Sequence, residues 1–171
     1  MRFNICFVLA LLITGGSVKG QDPVPSATPL IPCDVTVPNR RNTSVGQPSR
    51  EVHGNGMLSV WLGWPDGTVV FKPGGVGFVL PDGSLSMKFG WQRGVRGALM
   101  IDGHRLDAVS PPLRANIPRG YGDIGFQSTA LIFPTPGCWE VTGHVGDASL
   151  TFVTRVVKIG EGPVSRKLGG D

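Results

Sequence analysis

The sequence predicts an all-β protein, an antiparallel β-sandwich, and three observations predict it. Short runs rich in β-branched and aromatic residues succeed one another from Met57 to Val157. The 26 Gly and 15 Pro of the 171 residues stand between those runs and punctuate them, which marks tight turns; a collagen-like period or a disordered tract would look different. No segment sustains a 3.6-residue apolar period with capping residues at its ends, so no substantial helix is expected. One-sided alternation in several strands favours a sandwich over a barrel.

The chain opens on MRFNICFVLALLITGGSVKG. Arg2 supplies a positive start, Ile5 to Ile13 form a mostly apolar run, and Val18 and Gly20 occupy the −3 and −1 positions of a cleavage before Gln21. This is the pattern of a signal peptide over residues 1–20. The apolar run is shorter than the roughly 20 residues needed to span a bilayer, so an exported chain without a stable membrane span is expected, secreted or periplasmic. Residues 21–32, QDPVPSATPLIP, read as a Pro-rich linker, and residues 38–55 as a polar continuation, so that 21–55 form a linker and arm. One β domain is expected over 56–160 and a flexible tail over 161–171. Asn42-Thr43-Ser44 fits an N-glycosylation sequon, which matters in a eukaryotic host.

Within the domain the strand-like runs are MLSVWLGW, TVVF, VGFVL, SLSMKFGW, RGALMI, HRLDAV, STALIF, CWEVTGHV and ASLTFVTRVV. Asp66-Gly67, Asp82-Gly83 and Asp102-Gly103 predict hairpin-type turns, and Gly146-Asp147 predicts another. Leu85, Met87 and Phe89 share one strand face, with Ser84, Ser86 and Lys88 on the other. In the last strand Leu150, Phe152 and Val156 share a face, yet Val153 and Val157 make the opposite face partly apolar, as in a strand covered on both sides.

Charge and motif inventories exclude several function classes. Removing residues 1–20 takes away Arg2 and Lys19 and no acid, leaving 14 basic and 12 acidic side chains. A net charge of +2 is too small for an electrostatic nucleic-acid footprint, and no polybasic block suits a membrane surface. No GxSxG elbow, GxxxxGK[ST] or GxGxxG motif occurs, and no helix follows the Gly-rich stretch 71–77. Four aspartates are used by turns, and Asp107, Asp123 and Glu140 nominate no glycosidase pair. His53, His104 and His144 are scattered; with Met57, Met87 and Met100 they could make a copper site, although the methionines alternate as core fillers do.

The stretch FPTPGCWEVT, residues 133–142, sets a Pro-Gly corner before an aromatic residue and a valine on one strand face. With the hairpin HVGDAS and the strand LTFVTRVV it resembles the C-terminal part of small exported bacterial proteins of unassigned function with immunoglobulin-like folds. The resemblance covers mainly residues 125–158, implies an immunoglobulin-like β-sandwich and carries no activity with it. Alternation turns Trp139 and Val141 inward and Cys138 to the opposite face. The cross-core cysteine of antibody domains points inward, so this chain departs from that pattern. After signal removal the only cysteines are Cys33 and Cys138 in an oxidising compartment, and a disulfide between them would staple the N-terminal arm to the strand. A thiol nucleophile needs an adjacent base, whereas His144 lies about 20 Å along the same strand.

Candidate ligand- or partner-binding residues fall in the connection 110–125, which contains Arg114, Arg119, Tyr121 and Asp123. Trp64 and Trp91 join them as aromatics that could be exposed beside cations; Trp61 and Trp64 have opposite parity, so one of them should face away from the core. The expected function is a non-enzymatic binding, adhesion or accessory domain acting through contacts with a protein or cell-surface partner. The alternative is a small-ligand module for carbohydrate or copper, and no catalytic residue, cofactor or metal ligand is assigned.

Overall fold

A computed structural model describes residues 32–41, 51–64 and 66–164. The expected signal peptide, the linker up to residue 31, the sequon at Asn42 and the tail from residue 165 lie outside the described residues. The described chain is all-β, with no helix and two sheets. In chain order the strands are β1 (Val52–Gly54), β2 (Leu58–Trp61), β3 (Thr68–Phe71), β4 (Phe78–Val79), β5 (Leu85–Arg93), β6 (Met100–Arg105), β7 (Arg114–Asn116), β8 (Gly125–Phe133), β9 (Gly137–Val145) and β10 (Ala148–Lys158). The six-stranded sheet runs β1-β2-β5-β8-β7 with β4 also on β5, and the four-stranded sheet runs β3-β10-β9-β6. Every pairing is antiparallel except β3 with β10, which is parallel.

Both sheets feed one buried cluster. Leu58, Val60, Phe89, Trp91 and Leu131 come from the six-stranded sheet, and Val69, Phe71, Trp139, Val141, Phe152 and Val156 from the four-stranded one. Phe152 stacks on Phe89 at a 5.8 Å centroid distance and lies 6.1 Å from the Trp91 ring, so aromatic contacts join the two sheets. Aromatic pairs in such geometries add to the stabilisation from area burial alone.

Trp91 overturns an expectation. It is fully buried at 0 % exposure, so it is a core residue and presents nothing to a ligand. β5 runs through Gly90 to Arg93, so the alternation Leu85, Met87, Phe89 carries on to Trp91 and turns it inward. Across the core, a Cβ on Gly143 would lie 2.5 Å from two carbons of the Trp91 six-membered ring. The glycine in β9 thus makes the room that the indole fills.

The Asp-Gly pairs divide three ways. Asp82-Gly83 and Gly146-Asp147 close the hairpins β4–β5 and β9–β10, with Gly83 and Gly146 at positive φ. Asp66-Gly67 also turns, with the Gly67 amide donating to the Trp64 carbonyl, yet it carries the chain from one sheet to the other and so forms no hairpin. Asp102-Gly103 is no turn at all: it lies inside β6, which merges the runs RGALMI and HRLDAV. A Cβ on Gly103 would come 2.6 Å from the Glu140 carbonyl oxygen and 3.1 Å from Leu113, so this glycine serves a close approach.

Cys33 and Cys138 form a disulfide across 105 residues of sequence. Cys138 faces away from Trp139, yet it is only 1 % exposed because the arm lies over that side of β9. The Thr36 amide donates to the Val153 carbonyl and the Val153 amide to Thr36 Oγ1, which occupies the edge of β10 that β3 does not reach. Asn39 then grips β1, donating from Nδ2 to the Gly54 carbonyl and accepting the Gly54 amide on Oδ1. The polar stretch assigned to the arm therefore includes a genuine edge strand, Val52–Gly54, paired with β2.

Candidate functional site

The face of the six-stranded sheet turned away from the core carries the exposed aromatics. Alternation puts Lys88 and Gly90 of β5, Phe126, Ser128 and Ala130 of β8 and Trp61 of β2 on that side. Register sets Trp61 opposite Gly90, Gly90 opposite Ser128 and Gln92 opposite Phe126. Gly90 is the gap between two rings: a Cβ there would meet Phe126 at 3.0 Å and the Trp61 Cβ at 4.0 Å. A side chain at this position would require the Phe126 ring to shift.

Trp61 is 45 % exposed and Phe126 55 %, high values for large apolar side chains. Trp61 is nonetheless fixed. Its Nε1–H donates to Glu51 Oε2 at 2.6 Å, and a Cβ on Gly63 would sit 3.5–3.6 Å from three carbons of its six-membered ring. Near-equal distances to three adjacent ring atoms place Gly63 against a ring face. The indole is held at one end by a carboxylate and backed by a glycine. Tyr121 continues the track beyond Phe126, edge to face at 6.0 Å.

The loop that presents Tyr121 hangs on Arg93, at the end of β5. Core-side parity buries this side chain to 1 % exposure. Its guanidinium donates to four backbone carbonyls: Nη1 to Gly97 at 2.9 Å, Nη2 to Tyr121 at 3.1 Å and Gly122 at 3.2 Å, and Nε to Gly125 at 3.4 Å. Buried charge needs such partners. The planar fork serves several carbonyls at once, which a lysine ammonium would do less well. The Gly97 amide donates to the Asp123 carbonyl, and Arg96 pairs with the Asp123 carboxylate at 2.9 Å, closing the loop from outside.

Two hollows open on this face and share Phe78 and Lys88. One, of about 320 Å³, includes Asn116, Tyr121, Ser128 and Ala130 in its lining. The other, of about 570 Å³, includes Trp61, Trp64 and Val76. Neither is lined by a carboxylate, and Lys88 makes no ion pair among the described residues.

Of the residues singled out from sequence, Tyr121 belongs to this face, whereas Trp64 lines the second hollow but packs against the core. Trp64 is half-buried, its ring 6.0 Å from Phe89. Arg119 is exposed and lines a neighbouring hollow with Arg93 and Gln127. Asp123 is occupied by Arg96, which holds its carboxyl below the usual range through a hydrogen bond. Arg114 lies in a separate hollow among prolines and donates to Asp82 and Ser84. Trp91 is in the core. Trp61, Phe126, Lys88, Gly90 and Arg93 were not named as site residues; the signal for them was the alternation around Gly90, which places Trp61 and Phe126 side by side once β5 runs through the glycine.

Asp82 gives a pH test of the Arg114 corner. The Ser84 hydroxyl and amide, followed by Arg114, hold its carboxyl down to about 2. Because the folded value lies below the unfolded one of about 3.9, the ionised form favours folding above the unfolded value, and that contribution is lost as pH falls through the folded one. A carboxyl titration by NMR should give a midpoint near 2 for Asp82, moving up in the Ser84→Ala variant. A wild-type midpoint at the ordinary aspartate value would mean these hydrogen bonds do not persist in solution.

His144 stands opposite Met100 in the β6–β9 register, but the other histidines and methionines are spread apart. His144 pairs with Asp102 at 3.0 Å and His104 approaches Glu140 at 3.9 Å, while Met87 is buried in the core. Among the described residues no group of three or more His, Cys, Asp or Glu side chains is placed to hold a metal ion. No helix among the described residues is long and apolar enough to cross a membrane. The disulfide is consistent with an oxidising extracellular or periplasmic location. No protein-family model, curated protein or solved structure matches the chain.

Proposed function

We propose that this protein is an exported, non-enzymatic binding domain, an immunoglobulin-like β-sandwich that meets a cell-surface partner with the outer face of its six-stranded sheet. The aromatic core shared by the two sheets supports the sandwich arrangement. The signal-peptide pattern and the Cys33–Cys138 bond support export. The observation that carries the binding role is the row of Trp61, Phe126 and Tyr121, large aromatics held in fixed orientations on one exposed face. Rigid exposed aromatics are costly to leave in water and are the side chains that anchor interfaces.

The test is retention of the purified protein on intact cells and on their secreted matrix, comparing wild type with the Trp61→Ala/Phe126→Ala double variant. Retention by the wild type and its loss in a double variant of unchanged melting temperature supports the role. Equal retention by both, or none by the wild type, refutes it.

A further inference from the structure

From this face we infer that its ligand is an acidic polysaccharide, its sugar rings lying on the aromatic track and an acid group meeting Lys88. The inference rests on the binding role proposed above and narrows it to one chemistry. The apolar CH face of a sugar ring stacks on an aromatic face, and its hydroxyl rim asks for short polar side chains beside the ring. This surface offers both. The Trp61 indole is locked against Gly63 and bonded to Glu51, so it needs no ordering on binding. Phe126 lies two strand positions away across β5, about 10 Å at ordinary strand spacing, and Ser128 and Asn116 line the adjoining hollow.

Charge selects an acid. Lys88 stands on the wall common to both hollows, neither of which has a carboxylate in its lining, and it makes no ion pair among the described residues. A cation without a counter-charge at the centre of an aromatic groove favours a carboxylated or sulfated sugar over a neutral one. An acidic peptide fits less well. β5 is paired along its whole length with β8, and on its other edge β2 takes Gly90–Arg93 and β4 takes Leu85–Ser86, so only Met87–Phe89 lack a strand partner there. That stretch is too short for an extended peptide to join as a strand, whereas a polysaccharide needs no strand edge.

The experiment is affinity electrophoresis of the folded protein in gels containing sodium polygalacturonate, dextran sulfate, dextran or poly-glutamate, with tryptophan-fluorescence titration for affinities. Retardation by at least one of the two acidic polysaccharides and not by dextran or poly-glutamate is expected; which one responds separates carboxylate from sulfate. Trp61→Ala and Lys88→Gln should each weaken that binding about tenfold, Lys88→Arg should restore it, and added salt should weaken the wild type more than Lys88→Gln. Both side chains are exposed, so unchanged melting temperatures separate lost contact from lost fold. Equal retardation by dextran, retardation by poly-glutamate alone, or no retardation by any polymer overturns the inference. If retention on cells still depends on Trp61 and Phe126 in that event, the broader binding role survives; if it does not, that role has failed first.

Discussion

Replacing both Cys33 and Cys138 by alanine should destabilise the protein by about 4–5 kcal/mol and lower its melting temperature by on the order of 10 °C. The bond spans 105 residues of sequence, so in the unfolded chain it closes a loop that takes in most of the β domain. Chain entropy gives about 4.7 kcal/mol for a loop near that length. Alanine is the right replacement because Cys138 is buried, and a serine hydroxyl there would need a partner of its own. The loss should be localised as well as global. Val153 donates its amide to Thr36 on the arm, so its hydrogen exchange should speed up in the double variant more than that of Phe89, deep in β5. Urea unfolding that finds the variant within about 1 kcal/mol of wild type would show that the bond constrains little.

The second large effect is expected at Gly143. Valine there should cost about 3 kcal/mol or more, because even its Cβ would sit 2.5 Å from the end of the Trp91 indole. That ring has no free space to yield into, being wholly buried and packed on Phe152. Trp91→Ala alone should cost about 3–5 kcal/mol through the opposite error, an empty cavity. The two errors should offset each other. A double-mutant cycle of Gly143→Ala with Trp91→Leu is expected to show a favourable coupling of about 1 kcal/mol or more, since the methyl enters the space the indole leaves. Strict additivity in that cycle would mean the two residues do not share the space.

How much of this was legible in the sequence depends on the range of the interaction involved. Parity along one strand is local, and it correctly set Trp139 inward and Cys138 to the other side. It could not say that an arm more than a hundred residues upstream would cover that side. Glycine is ambiguous for the same reason. Gly83 and Gly146 bend the chain, a local act that the neighbouring aspartates announce. Gly90, Gly103 and Gly143 keep extended strands and make room for Phe126, for Leu113 with the Glu140 carbonyl, and for Trp91. Those partners lie far off in sequence, so nothing local announces the role of these glycines, and Trp91 reads from sequence as a residue that could be exposed. The candidate face suffered most. Its members come from β2, β5, β8 and the loop before β8, and only the pairing of those strands brings Trp61 beside Phe126. Tyr121 was found because it sits in a long connection, whereas Arg93, which holds that connection, is a strand residue pointing toward the interior.

The Cys33–Cys138 bond also decides how the molecule answers a pull. Tension entering the chain before Cys33 and leaving after Cys138 passes through sulfur and bypasses everything between. The intervening residues hold about 340–370 Å of extended chain that cannot be paid out while the bond is intact. Only the remainder of β9 and β10 beyond Cys138 stays in the load path, and β10 lies between β3 and β9. The candidate face, whose strands β2, β5 and β8 all lie between the two cysteines, would thus remain folded under a drag that peels an uncrosslinked sheet strand by strand.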